Sequence, residues 1–114
     1  MDWITDYFDA WNRSDGPAVA SYMADDIEFI DMGMNHTVRG KENIEEFVRQ
    51  SAQFAPGTTF DVGTHFATDD HYFIEWLFQP MGIPGVSVGT LRDGKITMNH
   101  DYWNRAAFKR PKKD

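Results

Sequence analysis

The sequence has no cysteine among its 114 residues, which excludes a disulfide framework and a thiolate metal site. Positive charge is scarce: 11 lysines and arginines stand against 18 aspartates and glutamates, and the formal net charge is -7. Phosphate binding draws on clustered basic side chains, so we expect no nucleic acid partner. No apolar run approaches the about 20 residues of a membrane span, and no signal-peptide pattern opens the chain. We therefore expect a cytoplasmic protein without membrane contact.

The basic residues that are present cluster at the end of the chain. Residues 109–114, KRPKKD, are typical of a disordered, solvated tail, and residues 1–108 have the length of one domain. The four histidines, at positions 36, 65, 71 and 100, show no metal-ligand spacing. There is also no glycine-rich phosphate loop and no recognisable Ser-His-Asp arrangement, so we expect no metal and no cofactor.

Apolar residues at three- and four-residue steps predict three helices, over residues 2–12, residues 18–23, and from residue 41 to the break at Pro56-Gly57. Strand-like composition predicts extended segments over residues 27–32, 58–68 and 71–79, whereas residues 33–40 suggest a loop. This order predicts an α+β fold in which helices cover one face of a curved sheet that ends in four antiparallel strands.

The strongest local signal is a β-hairpin over residues 84–104, with its turn at Arg92-Asp93-Gly94. Side chains alternate along a strand, so Asn99, Asp101 and Trp103 are predicted to share one face. Met98, His100 and Tyr102 then occupy the other face. Because aromatic residues make up 15% of the chain, more than a small core requires, we expect the first face to line an apolar cavity.

Two segments, YMADDIEFIDMGMNHTVRGKENIEEFVRQ and DGKITMNHDYWN, resemble the nuclear-transport-factor-two-like superfamily, in particular its SnoaL-like branch of polyketide cyclases. The resemblance covers residues 3–104. It implies a cone, also described as a cystatin-like α+β barrel, in which a mostly antiparallel sheet wraps round the three helices of the N-terminal half. An apolar pocket is expected at the open end. Members of this superfamily differ in activity, so the fold alone does not decide the chemistry.

The resemblance also assigns site residues. It places Asp31 at the general-base aspartate of ketosteroid isomerase and Tyr7 at that enzyme's oxyanion-binding tyrosine, whereas Ser87 stands where that enzyme carries a second, protonated aspartate. This departure weakens a steroid isomerase assignment. Asp101 corresponds to an acid or base in SnoaL-like cyclases and in limonene epoxide hydrolase. The Arg-x-Asp motif of the latter is missing, because residues 73–75 are Phe-Ile-Glu.

Further residues are expected around a small hydrophobic substrate. Trp76 and Trp103 are predicted walls, and Phe54 is a predicted lid. The remaining predicted contacts are Asn99, Ser87 and His36, the last of them with Asn35 in the loop at the mouth.

The leading expectation is a cofactor-independent acid–base enzyme acting on a small, hydrophobic, carbonyl-bearing molecule, as an isomerase or cyclase. The alternatives are an epoxide hydrolase and a non-catalytic binding or dimerisation domain. A homodimer is also expected, because helices on one side of a sheet leave the other face partly uncovered. The predicted interface carries residues 71, 73 and 75, with residues 98, 100 and 102 beside them.

Overall fold

A computed structural model describes residues 2–108, and the predicted tail, residues 109–114, lies outside the described residues. The helices are α1 (Trp3–Asn12), α2 (Gly16–Ala20) and α3 (Lys41–Phe54), followed near the end by a short 3-10 helix (Arg105–Ala107). The strands are β1 (Met23–Asp31), β2 (His36–Arg39), β3 (Thr59–Ala67), β4 (His71–Gln79), β5 (Ile83–Arg92) and β6 (Lys95–Trp103). None of the helices in this part of the chain is long and apolar enough to cross a membrane.

The six strands form one sheet in the order β2-β1-β6-β5-β4-β3. Strands β3 to β6 are joined as consecutive antiparallel pairs, β1 pairs antiparallel with β2, and β1 pairs parallel with β6. Register shifts interrupt three of these pairings, and such bulges bend a sheet. The three helices pack on the concave side, which confirms the predicted α+β fold with a mostly antiparallel, curved sheet.

Local chemistry explains where the first two helices begin. The carboxylate of Asp2 accepts a hydrogen bond from the backbone N–H of Ile4 at 2.9 Å, and Asp15 caps α2 in the same way through Ala18 at 3.1 Å. The prediction that the second helix reaches residue 23 is wrong, because α2 ends at Ala20. Met23 is instead the first residue of β1, where it pairs with Ile96 of β6.

The hairpin prediction is confirmed and the loop prediction is wrong. Asp93 and Gly94 both have positive φ, 54° and 77°, as a type I′ turn between β5 and β6 requires. Residues 33–40, expected as a loop, contain β2, which returns along the end of β1 and buries Val38. Four mostly polar residues carry too weak a local pattern to predict a strand, and pairing with β1 stabilises them.

The core fills the space between the helices and the concave face of the sheet. Its fully buried side chains come from both layers: Ile4 and Tyr7 from α1, Ile44 and Val48 from α3, and Ile27, Ile74 and Ile96 from the sheet. Toward the C-terminal end of α3 the layers separate, and aromatic side chains replace the aliphatic ones. That change opens a cavity between the helices and the sheet.

Candidate active site

The cavity has a volume of about 470 Å³. The polar or ionisable side chains in its lining include Tyr7 of α1, Asp31 of β1, Ser87 of β5 and Asp101 of β6. Its apolar wall is aromatic, with Phe8, Trp11, Phe29, Phe47, Phe60, Trp76, Phe78 and Trp103. Among the described residues, the lining includes neither lysine nor arginine.

Asp101 occupies the centre of the polar group because of strand register. In β6 it lies opposite Ser87 of β5 on one side and opposite Asp31 of β1 on the other. The Ser87 hydroxyl donates a hydrogen bond to Oδ1 of Asp101, and the side-chain amide of Asn99 donates to the same oxygen at 2.8 Å. Both hydrogen bonds recorded to this carboxyl within residues 2–108 therefore reach Oδ1.

The second oxygen of Asp101, Oδ2, is the accessible one. Every buried side-chain nitrogen or oxygen in the described part of the chain has a hydrogen-bond partner. Oδ2 has no such partner there, so it is not fully buried, and the residue lines the cavity. The carboxyl group thus presents one oxygen to the protein and one to a molecule in the cavity.

Burial raises the pKa of Asp101 from its ordinary value to about 7, because an apolar surrounding disfavours the charged form. The hydrogen bonds from Ser87 and Asn99 act in the opposite direction, since they stabilise the carboxylate. The neighbouring charge of Asp31 raises the pKa further. At neutral pH the protonated and ionised forms of Asp101 are both populated, so the group can donate or accept a proton.

Asp31 is the last residue of β1 and is also held by one oxygen. Its Oδ1 accepts hydrogen bonds from Nε1 of Trp103 at 2.7 Å and from the backbone N–H of Met34 at 3.0 Å. Gly33 makes the first bond possible, because a Cβ there would lie closer than 3.0 Å to the Trp103 indole. Asp31 is therefore both a turn acceptor and a cavity residue.

Tyr7 projects from α1 into the floor of the cavity and is 2% exposed. Its ring packs edge-on against Tyr22, with 5.5 Å between the centroids. Burial raises the pKa of its hydroxyl, although a hydrogen bond with the Trp11 side chain acts in the opposite direction. The phenol therefore stays protonated at physiological pH and retains a hydrogen to donate.

The structure brings together eight of the nine residues predicted for the site. Tyr7, Asp31, Phe54, His36, Trp76, Ser87, Asp101 and Trp103 all line the cavity, and their roles stay predictions. At the mouth, Phe54 is 45% exposed and stacks on Phe108, while the exposed His36 lies beside Phe47. Asn99 is the exception, because it is 1% exposed and lies behind Asp101 rather than in the cavity wall.

Sequence reasoning missed Tyr72, which reaches the site through Asn99. The Tyr72 hydroxyl donates a hydrogen bond to Oδ1 of Asn99. The sequence indicates part of this position, because Tyr72 and the predicted wall residue Trp76 lie four residues apart on β4 and therefore share a face of the sheet. Within residues 2–108, no group of three or more histidine, aspartate or glutamate side chains is arranged to hold a metal ion.

The chain was compared with protein families, curated proteins and solved structures. A sequence profile of the SnoaL-like domain matches residues 4–99. A search of curated proteins gave no match. Among solved structures, similarity extends to a hypothetical protein with a ketosteroid isomerase-like fold from Catenulispora acidiphila, in complex with trimethylamine. That match has 19% identity and a TM-score of 0.83, and covers 91% of this chain and 86% of the other.

Two further structures show the same fold. TerC, co-crystallised with polyporic acid, has 20% identity and a TM-score of 0.78, with 91% of this chain and 90% of TerC covered. A candidate SnoaL-like polyketide cyclase from Shewanella putrefaciens has 16% identity and a TM-score of 0.74, with 91% and 79% covered. At these identities the structures establish the fold, and the profile match establishes the family. The chain belongs to the SnoaL-like domain family.

Proposed function

We propose that this protein is a cofactor-independent acid–base enzyme that isomerises or cyclises a small, hydrophobic, carbonyl-bearing molecule. The observation that carries the proposal is Asp101, a carboxyl with a pKa of about 7 and one unbonded oxygen in an aromatic cavity. A catalytic acid or base works best when its pKa is near the operating pH. A carboxyl whose pKa is strongly raised by burial in a cavity is typical of a catalytic acid or base.

The reaction begins with the carbonyl compound in the cavity and Asp101 ionised. Oδ2 of Asp101 removes a proton from the carbon next to the carbonyl, and the electron pair of the broken C–H bond moves into an enolate. Tyr7, whose hydroxyl stays protonated, is the donor assigned to the enolate oxygen. In isomerisation the substrate has a neighbouring double bond, so the enolate is a dienolate and the proton returns from Asp101 to its far carbon. In cyclisation the enolate carbon attacks a second carbonyl of the same molecule, and the alkoxide that forms takes the proton from Asp101.

We assign Ser87 a role different from the predicted contact with the substrate. Sequence reasoning placed its hydroxyl among the predicted substrate contacts, but that hydrogen is already donated to Asp101. Ser87 therefore supports the base and leaves Tyr7 as the enolate donor. Asp31, with one oxygen free of recorded hydrogen bonds in the described residues, serves as the second base or orients the substrate.

The similar proteins support a small organic ligand. One was solved with trimethylamine and another with polyporic acid, and a third is a candidate polyketide cyclase. Epoxide opening is the second candidate, favoured by one observation: Asp31 and Asp101 are register partners in the same cavity, so an acid and a base for water are adjacent. It ranks lower because the described lining contains no arginine to orient the two carboxylates.

The test uses 2-tetralone, a two-ring ketone with acidic hydrogens next to its carbonyl. Wild-type protein is incubated with it in D₂O, and deuterium incorporation is followed by proton NMR. We expect exchange well above the buffer rate, falling about 10²–10⁴-fold in Asp101→Asn. Asp69→Asn, an exposed turn substitution, is the matched control and retains exchange. A wild-type rate equal to buffer, together with no binding of the enol mimic 2-naphthol, supports the non-catalytic domain instead.

We also propose that the protein is a homodimer that packs sheet against sheet. The support is an apolar row in register across the convex face: Phe66 opposite Phe73, Phe73 opposite Val88, and Ile30 on the far side of His100. Phe66 is 61% exposed and its ring stacks on Phe73 at 5.5 Å. A second copy that covers this row removes apolar surface from water on both chains.

A further inference from the structure

Asp101 is held by two chains of hydrogen bonds that meet on a single oxygen. The first, which we name the tyrosine arm, consists of Tyr72 and Asn99. The Tyr72 hydroxyl donates to Oδ1 of Asn99, and Nδ2 of Asn99 donates to Oδ1 of Asp101 at 2.8 Å. Because one end of the Asn99 amide accepts and the other donates, its orientation is fixed.

The second chain, the tryptophan arm, consists of Trp76 and Ser87. Nε1 of Trp76 donates to Oγ of Ser87 at 2.9 Å, and the Ser87 hydroxyl donates to Oδ1 of Asp101. An indole N–H can only donate, so Ser87 must turn its own hydrogen toward Asp101. In both arms an aromatic side chain donates a hydrogen bond to a small polar residue, which in turn donates one to the carboxylate of Asp101.

The sequence of β5 is built to accommodate both arms. Residues 85–89, GVSVG, direct Gly85, Ser87 and Gly89 toward the concave face. A Cβ at Gly85 would lie closer than 3.0 Å to the Trp76 ring, and one at Gly89 would do the same to the Tyr72 ring. The two glycines therefore give each aromatic ring a place directly over the strand, on either side of Ser87.

Desolvation makes this arrangement rigid. All four arm residues are between 1% and 4% exposed: Asn99, Tyr72, Ser87 and Trp76. A buried polar network in which every member is satisfied has one stable orientation, since turning any member leaves a buried donor without an acceptor. The arms thus hold the Asp101 carboxyl group so that one oxygen faces Ser87 and Asn99 and the other faces the cavity.

We propose that the two arms are positioning elements that reserve Oδ1 of Asp101 for the protein and Oδ2 for proton exchange with the ligand. Tyr72 and Asn99 are then positioning residues, since neither lines the cavity. During the reaction the substrate proton goes to Oδ2, while Oδ1 keeps both hydrogen bonds. The catalytic part of this proposal rests on the function proposed above, whereas the fixed orientation of Asp101 does not.

The test is Tyr72→Phe, which removes one oxygen that does not touch Asp101. Its matched control is Tyr22→Phe, a partly buried tyrosine of the same aromatic cluster. The titration of the Asp101 carboxyl is followed by carbon-13 NMR, with its signal assigned from its loss in Asp101→Asn. We expect the midpoint to rise in Tyr72→Phe, because the weakened arm stabilises the carboxylate less, and to stay at the wild-type value in Tyr22→Phe.

Exchange of 2-tetralone gives the second readout. At a pH where Asp101 is ionised in both proteins, kcat is expected to fall about tenfold in Tyr72→Phe with KM unchanged, because the base is no longer held in place. A lower melting temperature with an unmoved midpoint would show that Tyr72 is merely structural and overturn the proposal. If Tyr72→Phe does not fold, Ser87→Ala decides through the same midpoint. A shifted midpoint, with neither wild-type exchange nor binding of 2-naphthol, would support the arms and reject the acid–base function.

Discussion

Replacing Asp101 with asparagine should make the protein more stable at alkaline pH. The amide oxygen of the new residue takes the place of Oδ1, so it still accepts from Ser87 and from Asn99. The amide nitrogen takes the place of Oδ2 at the cavity wall. The substitution therefore keeps both hydrogen bonds and removes only the negative charge, which is the part that burial disfavours.

The size of the gain follows from linkage. In the unfolded chain Asp101 loses its proton near pH 3.8, and in the folded chain near pH 7, so between these values the folded chain holds the extra proton. Wild-type stability must then fall as pH rises through this window, because the unfolded state binds fewer protons. The difference corresponds to about 4 kcal/mol at about 1.4 kcal/mol per pH unit. Weaker hydrogen bonds to a neutral acceptor reduce the expected gain to about 2–4 kcal/mol.

The assay is thermal unfolding of wild type, Asp101→Asn and the control Asp69→Asn at several pH values from 4 to 8.5. At pH 8 the melting temperature of Asp101→Asn should exceed that of wild type by about 10 °C, and at pH 4 the two should nearly coincide. The control should follow wild type throughout. An Asp101→Asn protein that is less stable than wild type at pH 8, or a difference that does not change with pH, would refute the reasoning.

Three other changes test neighbouring parts of the structure. Asp31→Asn should lower the pKa of Asp101, because it removes the adjacent negative charge, and carbon-13 NMR titration measures the shift. Phe73→Glu should convert the proposed dimer into a monomer, since it places a charge in the apolar row of the convex face, and light scattering gives the mass. Gly85→Ala should cost about 1–3 kcal/mol in urea unfolding, because its methyl group collides with the Trp76 ring.

Each of these changes has a control or a result that would contradict it. For the dimer, Gln53→Glu adds the same charge at an exposed position of α3, on the other side of the sheet, and a monomeric wild type at micromolar concentration would remove the proposal. For the glycine, Gly63→Ala meets only ordinary contacts at 3.4 Å or more and should be nearly neutral. An unchanged or higher Asp101 titration midpoint in Asp31→Asn would show that the two carboxylates do not interact as described.

The parts of the fold that depend on local pattern could be predicted from the sequence. The Asp93-Gly94 turn requires positive φ, and the alternation beyond it correctly put Asn99, Asp101 and Trp103 on the concave face. Strand parity gives the face of a residue but not its depth. For that reason Asn99 was expected at the cavity wall, although it is buried one layer behind it.

Features that depend on distant partners could not be predicted. Strand β2 exists because it pairs with β1, and its own four residues indicate no strand. The link from Tyr72 to Asp101 joins β4 to β6 across the strand between them, so no spacing in the sequence shows it. The roles of the cavity residues came from family resemblance, since a lone carboxylate before a loop is equally consistent with a turn.

The parallel pairing of β1 with β6 has a consequence for how the chain folds. Every other pairing between the described strands joins consecutive strands, so the β1-β2 hairpin and the β3-β6 meander can each form from local contacts. The β1–β6 pairing, which we call the seam, joins these two units and closes a long loop, since the Asp31–Trp103 hydrogen bond connects residues 72 positions apart. Local contacts precede distant ones in folding, so the seam should close late. The two carboxylates, one from each half, then meet only in the final steps, and their repulsion in alkaline solution should slow that closure while leaving the earlier hairpins unaffected.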